Sequence, residues 1–231
     1  MKVEIYSDIS CPWCYIGHVR LERALGTLAS PESVEVIHRP YQLDPDAPAS
    51  GVPIQQYLEG RYGPRAGAML EHAAGAAKAE GLEINWDGAL AANTLDAHRL
   101  LRMAGDDYGA AVAHALLLKL FAAHFTHGCD VSNHEQLVGL AASVGMNVAR
   151  VRALLATAEY RAEVMEEVAQ AHRIGVRAVP TFVFDGANVI QGAQPVSAFV
   201  AMLGEVQRPY PASTALEGDE ACADGSCAVT T

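Results

Sequence analysis

Apolar and polar residues alternate at the start of the chain, with Val3 and Ile5 set between Lys2, Glu4 and later polar positions, which predicts a strand over 2–7. A turn-rich Ser7–Ser10 follows. The period then changes: Ile16, Val19, Leu21, Leu25 and Leu28 put one apolar side on a helix over 12–29. Residues 33–39 (SVEVIHR) read as a second strand. A strand, helix and strand in this order form a crossover unit whose two strands run parallel.

A Pro/Gly-rich stretch over 39–53 leads out of that unit, and from about 54 to 172 the periodicity is helical almost throughout. The predicted helices are 54–61, 64–80, 91–105, 108–125, 133–145, 147–156 and 158–173. Asn133 and Asp106 are expected as N-caps, Gly128 as a C-cap, and Asn93 or Thr94 as the cap of the helix they open. Strand character returns at 181–184 and 189–191, around the turn Asp185-Gly186-Ala187-Asn188, and predicts a hairpin. A last helix over 195–206 follows, with Pro195 near its first turn. The order β-α-β, helical insertion, β-β-α predicts an α/β thioredoxin fold carrying a large all-helical insertion. The expected division is 1–53 with 174–208 for the thioredoxin-like domain, 54–173 for the insertion, and 209–231 for a flexible acidic tail.

Charge and composition narrow the function. Sixteen Lys and Arg against 27 Asp and Glu give a net charge of −11, which argues against nucleic acid and against polybasic membrane association. Hydrophobic residues make up 51% of the chain but aromatics only 6%, so the core is expected to be closely packed helices rich in alanine. The N-terminus lacks the apolar run of a signal peptide, and the expected location is the cytoplasm.

Five cysteines carry the candidate chemistry, four of them in two tight pairs at opposite ends of the chain. An odd count does not describe a secreted disulfide framework. Cys11 and Cys14 stand at the start of a helix that follows a strand. Unpaired N–H groups and the dipole there favour a thiolate at Cys11, and Pro12 fits the first turn because it needs no N–H. Cys14, one turn further in, is placed to resolve a mixed disulfide on Cys11. Asp8 works the other way, as an anion close to that thiolate. Ordinary alternatives are a buried cysteine pair or half a zinc site.

Val179-Pro180-Thr181 opens the strand after the insertion. In the thioredoxin arrangement a cis-proline sits there, opposite the cysteines, and exposes the Val179 backbone to a substrate strand. A proline that merely starts a strand is the plainer reading. Cys222 and Cys227, spaced Cys-x4-Cys in the tail, read as an auxiliary redox pair, a soft-metal site or inert tail residues. His124, His127, Cys129 and His134 invite a metal reading, but no carboxylate partner is evident in the sequence and no metal is expected. Pro12, Trp13, Val179 and Asn93 are candidate substrate contacts in the cleft between insertion and sheet.

Several separated motifs keep a familiar order: Ser7-Asp8 with Cys11-Pro12-Trp13-Cys14 and Gly17, then Asn93-Thr94 with Ala97-His98-Arg99-Leu100, then Leu120-Phe121-Ala122-Ala123 leading to Gly128. Val179-Pro180-Thr181-Phe182-Val183-Phe184 and Gly192-Ala193-Gln194 complete it. Over about residues 1–206 the chain resembles the FrnE branch of the DsbA family, and the acidic tail with its second pair resembles FrnE proteins of stress-resistant bacteria. The resemblance implies dithiol–disulfide exchange on disulfide-containing or dithiol proteins, with Cys11 attacking, Cys14 resolving and Pro180 as the cis-proline. No cofactor is implied beyond the redox-active disulfide itself. Glutathione or a thioredoxin-type protein would act as reductant, and a sheet edge or cap face leaves room for a homodimer. Two alternatives stand beside it: a thiolate metal binder or redox sensor, and a glutathione-dependent isomerase of the 2-hydroxychromene-2-carboxylate type, whose relatives carry serine where Cys11 stands.

Overall fold

The computed structural model describes residues 1–207, so the 209–231 tail with Cys222 and Cys227 lies outside the described residues. Strand β1 (Lys2–Ser7) leads to helix α1 (Pro12–Leu25) and strand β2 (Glu35–Pro40). After β3 (Val52–Pro53) come α2 (Ile54–Tyr62), α3 (Arg65–Ala79), β4 (Leu90–Ala91), α4 (Leu95–Tyr108), α5 (Ala110–Phe125), α6 (His134–Ser143), α7 (Val148–Leu155) and α8 (Arg161–Arg173). The chain then returns through β5 (Thr181–Phe184), β6 (Asn188–Gln191) and α9 (Val196–Val206). The main sheet has the order β2-β1-β5-β6, parallel between β1 and β2 and antiparallel elsewhere.

The alternation in β1 sorts the two faces of this sheet. Val3 and Ile5 join Leu21, Phe182, Phe184, Phe199 and Leu203 in a core beneath α1 and α9. Tyr6 belongs to a second and larger core with Cys14, Leu100, Leu116, Phe121, Phe125 and Leu154, supplied mainly by the insertion. The central strand β1 thus contributes to both cores and is their common wall. Arg99, itself buried, donates to the carbonyls of Leu154, Thr157 and Glu159, locking the α7–α8 turn onto α4.

Beside its helices the insertion takes part in one two-residue ladder, in which Val52 and Pro53 pair with Ala91 and Leu90. That pairing delays α4, expected from residue 91, until Leu95. Asp106 does not cap α5 but lies inside α4, ion-paired at 2.9 Å with Arg102 one turn before it, and the helix runs on until Gly109 at φ 90° breaks it. Helix α1 ends at Leu25 and not at 29, because the Thr27 hydroxyl takes the Ala24 carbonyl at 2.7 Å. Helix α5 stops at Phe125, short of Gly128. Gly128 has φ 65° and packs so closely on the Gly88 backbone that a Cβ would fall 2.4 Å from its carbonyl oxygen. Asn133 caps α6 as expected, its Oδ1 accepting from the Gln136 N–H at 3.1 Å.

Gly17 sets how closely α1 can approach β5. A Cβ there would stand 2.9 Å from Pro180 Cγ and 3.0 Å from Phe182 Cζ, both in packed surroundings. Gly17→Ala is therefore expected to destabilise the fold by roughly 1–3 kcal/mol despite its gain in helix propensity. Urea unfolding checks this, and an unchanged or raised midpoint would contradict it.

Candidate active site

Cys11 is the N-cap of α1, with extended backbone at φ −96° and ψ 110°, and Pro12 occupies the first turn. The Cys11 carbonyl accepts from the Cys14 N–H at 3.0 Å, so the cysteines are held on one turn. Both thiols are free and buried. Cys14 is fully enclosed, and burial, followed by the hydrogen bond and charge of neighbouring Cys11, pushes its thiol well above the ordinary value. The two sulfurs therefore differ in the sense that thiol–disulfide exchange requires: the outer one meets the helix N-terminus, while the inner one keeps its proton until attack.

Asp8 sits beneath the pair at 1% exposure. Burial alone would raise its carboxyl, but the pull of His98, the Leu43 N–H and the Thr94 hydroxyl outweighs it and holds the group below its usual range. His98 Nε2 stands 3.4 Å from Asp8 Oδ1, within ion-pair reach but off the line of a hydrogen bond. The Leu43 N–H at 2.7 Å and the Ser10 hydroxyl at 3.0 Å both donate to Asp8 Oδ2. Thr94 stands at the N-cap position of α4 but makes no side-chain capping hydrogen bond. Asp8 thus fastens the active-site turn, the Leu43 loop and α4 to one carboxylate.

From the far end of the chain, the Val179 carbonyl accepts from Cys11 Sγ at 3.6 Å. The Val179–Pro180 bond is cis, and the Pro180 carbonyl accepts from the Gly192 N–H at 2.7 Å. Cys11, Pro12 and Trp13 line one wall of a cavity of about 300 Å³ whose other walls come from the Leu43–Ala47 loop, α2, α3 and the Trp86–Ala92 segment. Trp13 meets the His72 ring edge-on at 5.0 Å. Leu43, Tyr62 and Met69 line the cavity and are exposed large apolar residues. Asp44 Oδ2 accepts from the Tyr57 hydroxyl at 2.6 Å and from Arg61.

Asn93 takes a different place from the cleft lining expected of it. Its Oδ1 accepts from the Leu95 N–H at 2.9 Å, and its Nδ2 donates to the Pro45 carbonyl at 2.8 Å. It braces the loop that walls the cavity. His134 pairs with Asp96 at 2.8 Å, and among the described residues no three His, Cys, Asp or Glu side chains converge as a metal site would need. His124 lies fully buried on the cavity wall with neither ring nitrogen hydrogen-bonded. The contributions of α2 and α3 have no signal in the sequence, because Tyr57, Tyr62, Met69 and His72 read there as ordinary positions of amphipathic helices.

Burial holds the His124 imidazole down to about 4, so the folded protein refuses a proton that the unfolded chain binds below its ordinary 6.5. Stability from this group is complete above pH 6.5 and is lost as pH falls from there to about 4, by about 3 kcal/mol. His124→Leu should flatten this part of a pH-dependent unfolding curve by a comparable amount. A slope identical to that of the unsubstituted protein would refute the assignment.

Residues 2–204 match the DSBA-like thioredoxin domain family. The structure is similar to that of a probable DsbA oxidoreductase from Streptomyces coelicolor, with 35% identity, all of both chains covered and a TM-score of 0.82. It shares its fold with the cytosolic disulfide reductase DsbM of Pseudomonas aeruginosa, at 19% identity and a TM-score of 0.63 over 89% of this chain and 98% of that one. An uncharacterised Bacillus subtilis protein, YwbO, is 24% identical over 90% of this chain and 98% of its own length. With a dithiol on a helix N-terminus, a cis-proline beside it and a helical insertion above, the chain belongs to the DsbA-like thioredoxin family of oxidoreductases.

Proposed function

We propose that this protein is a cytoplasmic thiol–disulfide oxidoreductase and isomerase of the FrnE type, acting on protein disulfides through Cys11-Pro12-Trp13-Cys14. The observation that carries the reading is the Cys11 sulfur at an uncapped helix N-terminus, 3.6 Å from the Val179 carbonyl and on the wall of an apolar cavity. As a reductase, the Cys11 thiolate attacks one sulfur of a substrate disulfide, forming a mixed disulfide and expelling the other sulfur as thiolate. Cys14 then loses its proton and attacks Cys11, releasing the second substrate thiol and leaving a Cys11–Cys14 disulfide. Two electrons pass to the substrate, and the reverse sequence oxidises a dithiol. Apolar side chains around the cavity mouth suit an unfolded or flexible polypeptide, and Val179 and Pro180 offer it backbone to lie against. No cofactor beyond the disulfide is required.

Glutathione or a thioredoxin-type protein would return the pair to its dithiol form, and DsbM, which shares the fold, was solved with glutathione. Cys222 and Cys227 serve in this reading as an auxiliary pair that exchanges with Cys11 and Cys14. The fold is shared too with a 2-hydroxychromene-2-carboxylate isomerase, at 18% identity and a TM-score of 0.63. Isomerase chemistry on a small aromatic substrate would survive loss of Cys14, whereas disulfide turnover would not.

Cys11→Ser should reduce insulin at no more than the uncatalysed rate and should fail to refold scrambled ribonuclease, and retained activity would reject the proposal. Truncation after residue 208 should leave the unfolding midpoint unchanged and slow redox recycling severalfold. Identical kinetics with and without the tail would remove the auxiliary role.

A further inference from the structure

A row of three histidines runs from the active-site helix to the surface, through three different elements. His18 Nδ1 of α1 lies 2.9 Å from the Cys14 carbonyl oxygen. His18 Nε2 lies 3.3 Å from His38 Nδ1 of β2, and His38 Nε2 lies 3.2 Å from His114 Nδ1 of α5. His114 Nε2 ends the row 2.6 Å from Glu22 Oε1. The ring centroids lie 5.2 Å apart for His18 and His38 and 5.3 Å apart for His38 and His114, so the rings meet edge to edge through these nitrogens.

Hydrogen-bond chemistry gives the row a direction. A carbonyl only accepts, so His18 Nδ1 carries the proton and His18 Nε2 accepts. His38 must then donate from Nδ1 and accept at Nε2, and His114 must donate from its own Nδ1. At the far end Glu22, two-fifths exposed (40%), is a carboxylate that also only accepts, so His114 Nε2 donates too. All four contacts can be hydrogen bonds at once only with two protons on His114, an arrangement that gives the row one positive charge. Burial keeps His18 down to about 4, while loss of solvent and then its histidine neighbours hold His38 well below the ordinary value, so neither inner ring competes for that charge.

We propose that His18, His38, His114 and Glu22 form a directional relay that presents the positive end of an ion pair to the Cys14 carbonyl, making all four positioning residues for the dithiol. The relay stabilises thiolate character at the pair and so favours the reduced form, since each donor in a hydrogen-bonded chain is strengthened by the next. It also ties the redox helix to α5 of the insertion. The inference rests on Cys11 and Cys14 being the working pair.

Glu22→Gln tests it at the exposed end of the row and leaves the buried rings of His18 and His38 in place. The glutamine amide oxygen can still accept from His114 Nε2, but without the carboxylate charge nothing stabilises a second proton on His114, and the directed row is lost. In the full-length unsubstituted protein, ¹⁵N NMR of the imidazoles should show His18 and His38 protonated on Nδ1 only and His114 on both nitrogens. In Glu22→Gln, His114 should become neutral, and the glutathione equilibrium of the pair should shift about threefold towards the disulfide, roughly 14 mV for a two-electron couple. His38→Leu should give the same shift with the Glu22–His114 pair intact. Any other tautomer at His18 or His38, or an equilibrium constant unchanged in both variants, overturns the relay. A pair that does not exchange with glutathione at all contradicts the reading of the dithiol, and the ring tautomers still decide the relay.

Discussion

The sulfur of Cys11 and the carbonyl of Val179 meet at 3.6 Å across 168 residues of chain, and the rest of the architecture exists to hold that meeting. Cys11 is placed by β1 and by the first turn of α1, and Val179 by β5, which pairs antiparallel with β1 from Tyr6–Thr181 to Val3–Phe184. That register brings the end of β1 level with the start of β5, so the loop after one strand faces the loop before the other. Gly17 then lets α1 settle onto Pro180 and Phe182 without a side chain between them. The large insertion leaves and rejoins the sheet without disturbing this pairing, and its own core closes over the same residues from above.

Electrostatics under the cysteines follow from burial. A carboxylate at 1% exposure is expensive unless it is surrounded by donors, and Asp8 has the Leu43 N–H, the Ser10 hydroxyl, the Thr94 hydroxyl and His98 around it. Each of those groups belongs to an element that walls the site, so offsetting one charge also fixes the geometry of the turn. The histidine row meets a similar demand on the other side of α1. Rings that would be costly if charged inside are kept neutral, and the single charge is moved out to His114, where Glu22 answers it. In both places the protein tolerates a charge near a reactive thiol by setting polar groups of opposite sign around it.

Much of this was legible in the order of the residues. The period-two pattern of Val3 and Ile5, the switch to helical spacing at Ile16, and the return of strand character at Thr181 lead directly to the observed β-α-β and β-β-α pieces. Cys11-Pro12-Trp13-Cys14 reads as a redox turn because helix N-termini stabilise anions, a local property that a sequence displays. What stayed hidden depends on contacts between distant segments. The Val52–Ala91 ladder is too short to have a period, and it moved the start of α4. Asp106 has the side chain of a cap, yet its neighbour Arg102 claimed it inside the helix. Asn93 reads as a cleft residue, but it spends its amide on the Pro45 loop. His18, His38 and His114 lie in three separate elements, and nothing in their spacing announces a row.

Mixed-disulfide capture tests the central assignment most directly. A Cys14→Ser protein incubated with a peptide disulfide should accumulate a covalent adduct, and mass mapping should place it on Cys11 in nearly every molecule. An adduct on Cys129 or on the tail cysteines instead, with Cys11 left as a free thiol, would show that the Cys11 sulfur beside Val179 is not the group that attacks.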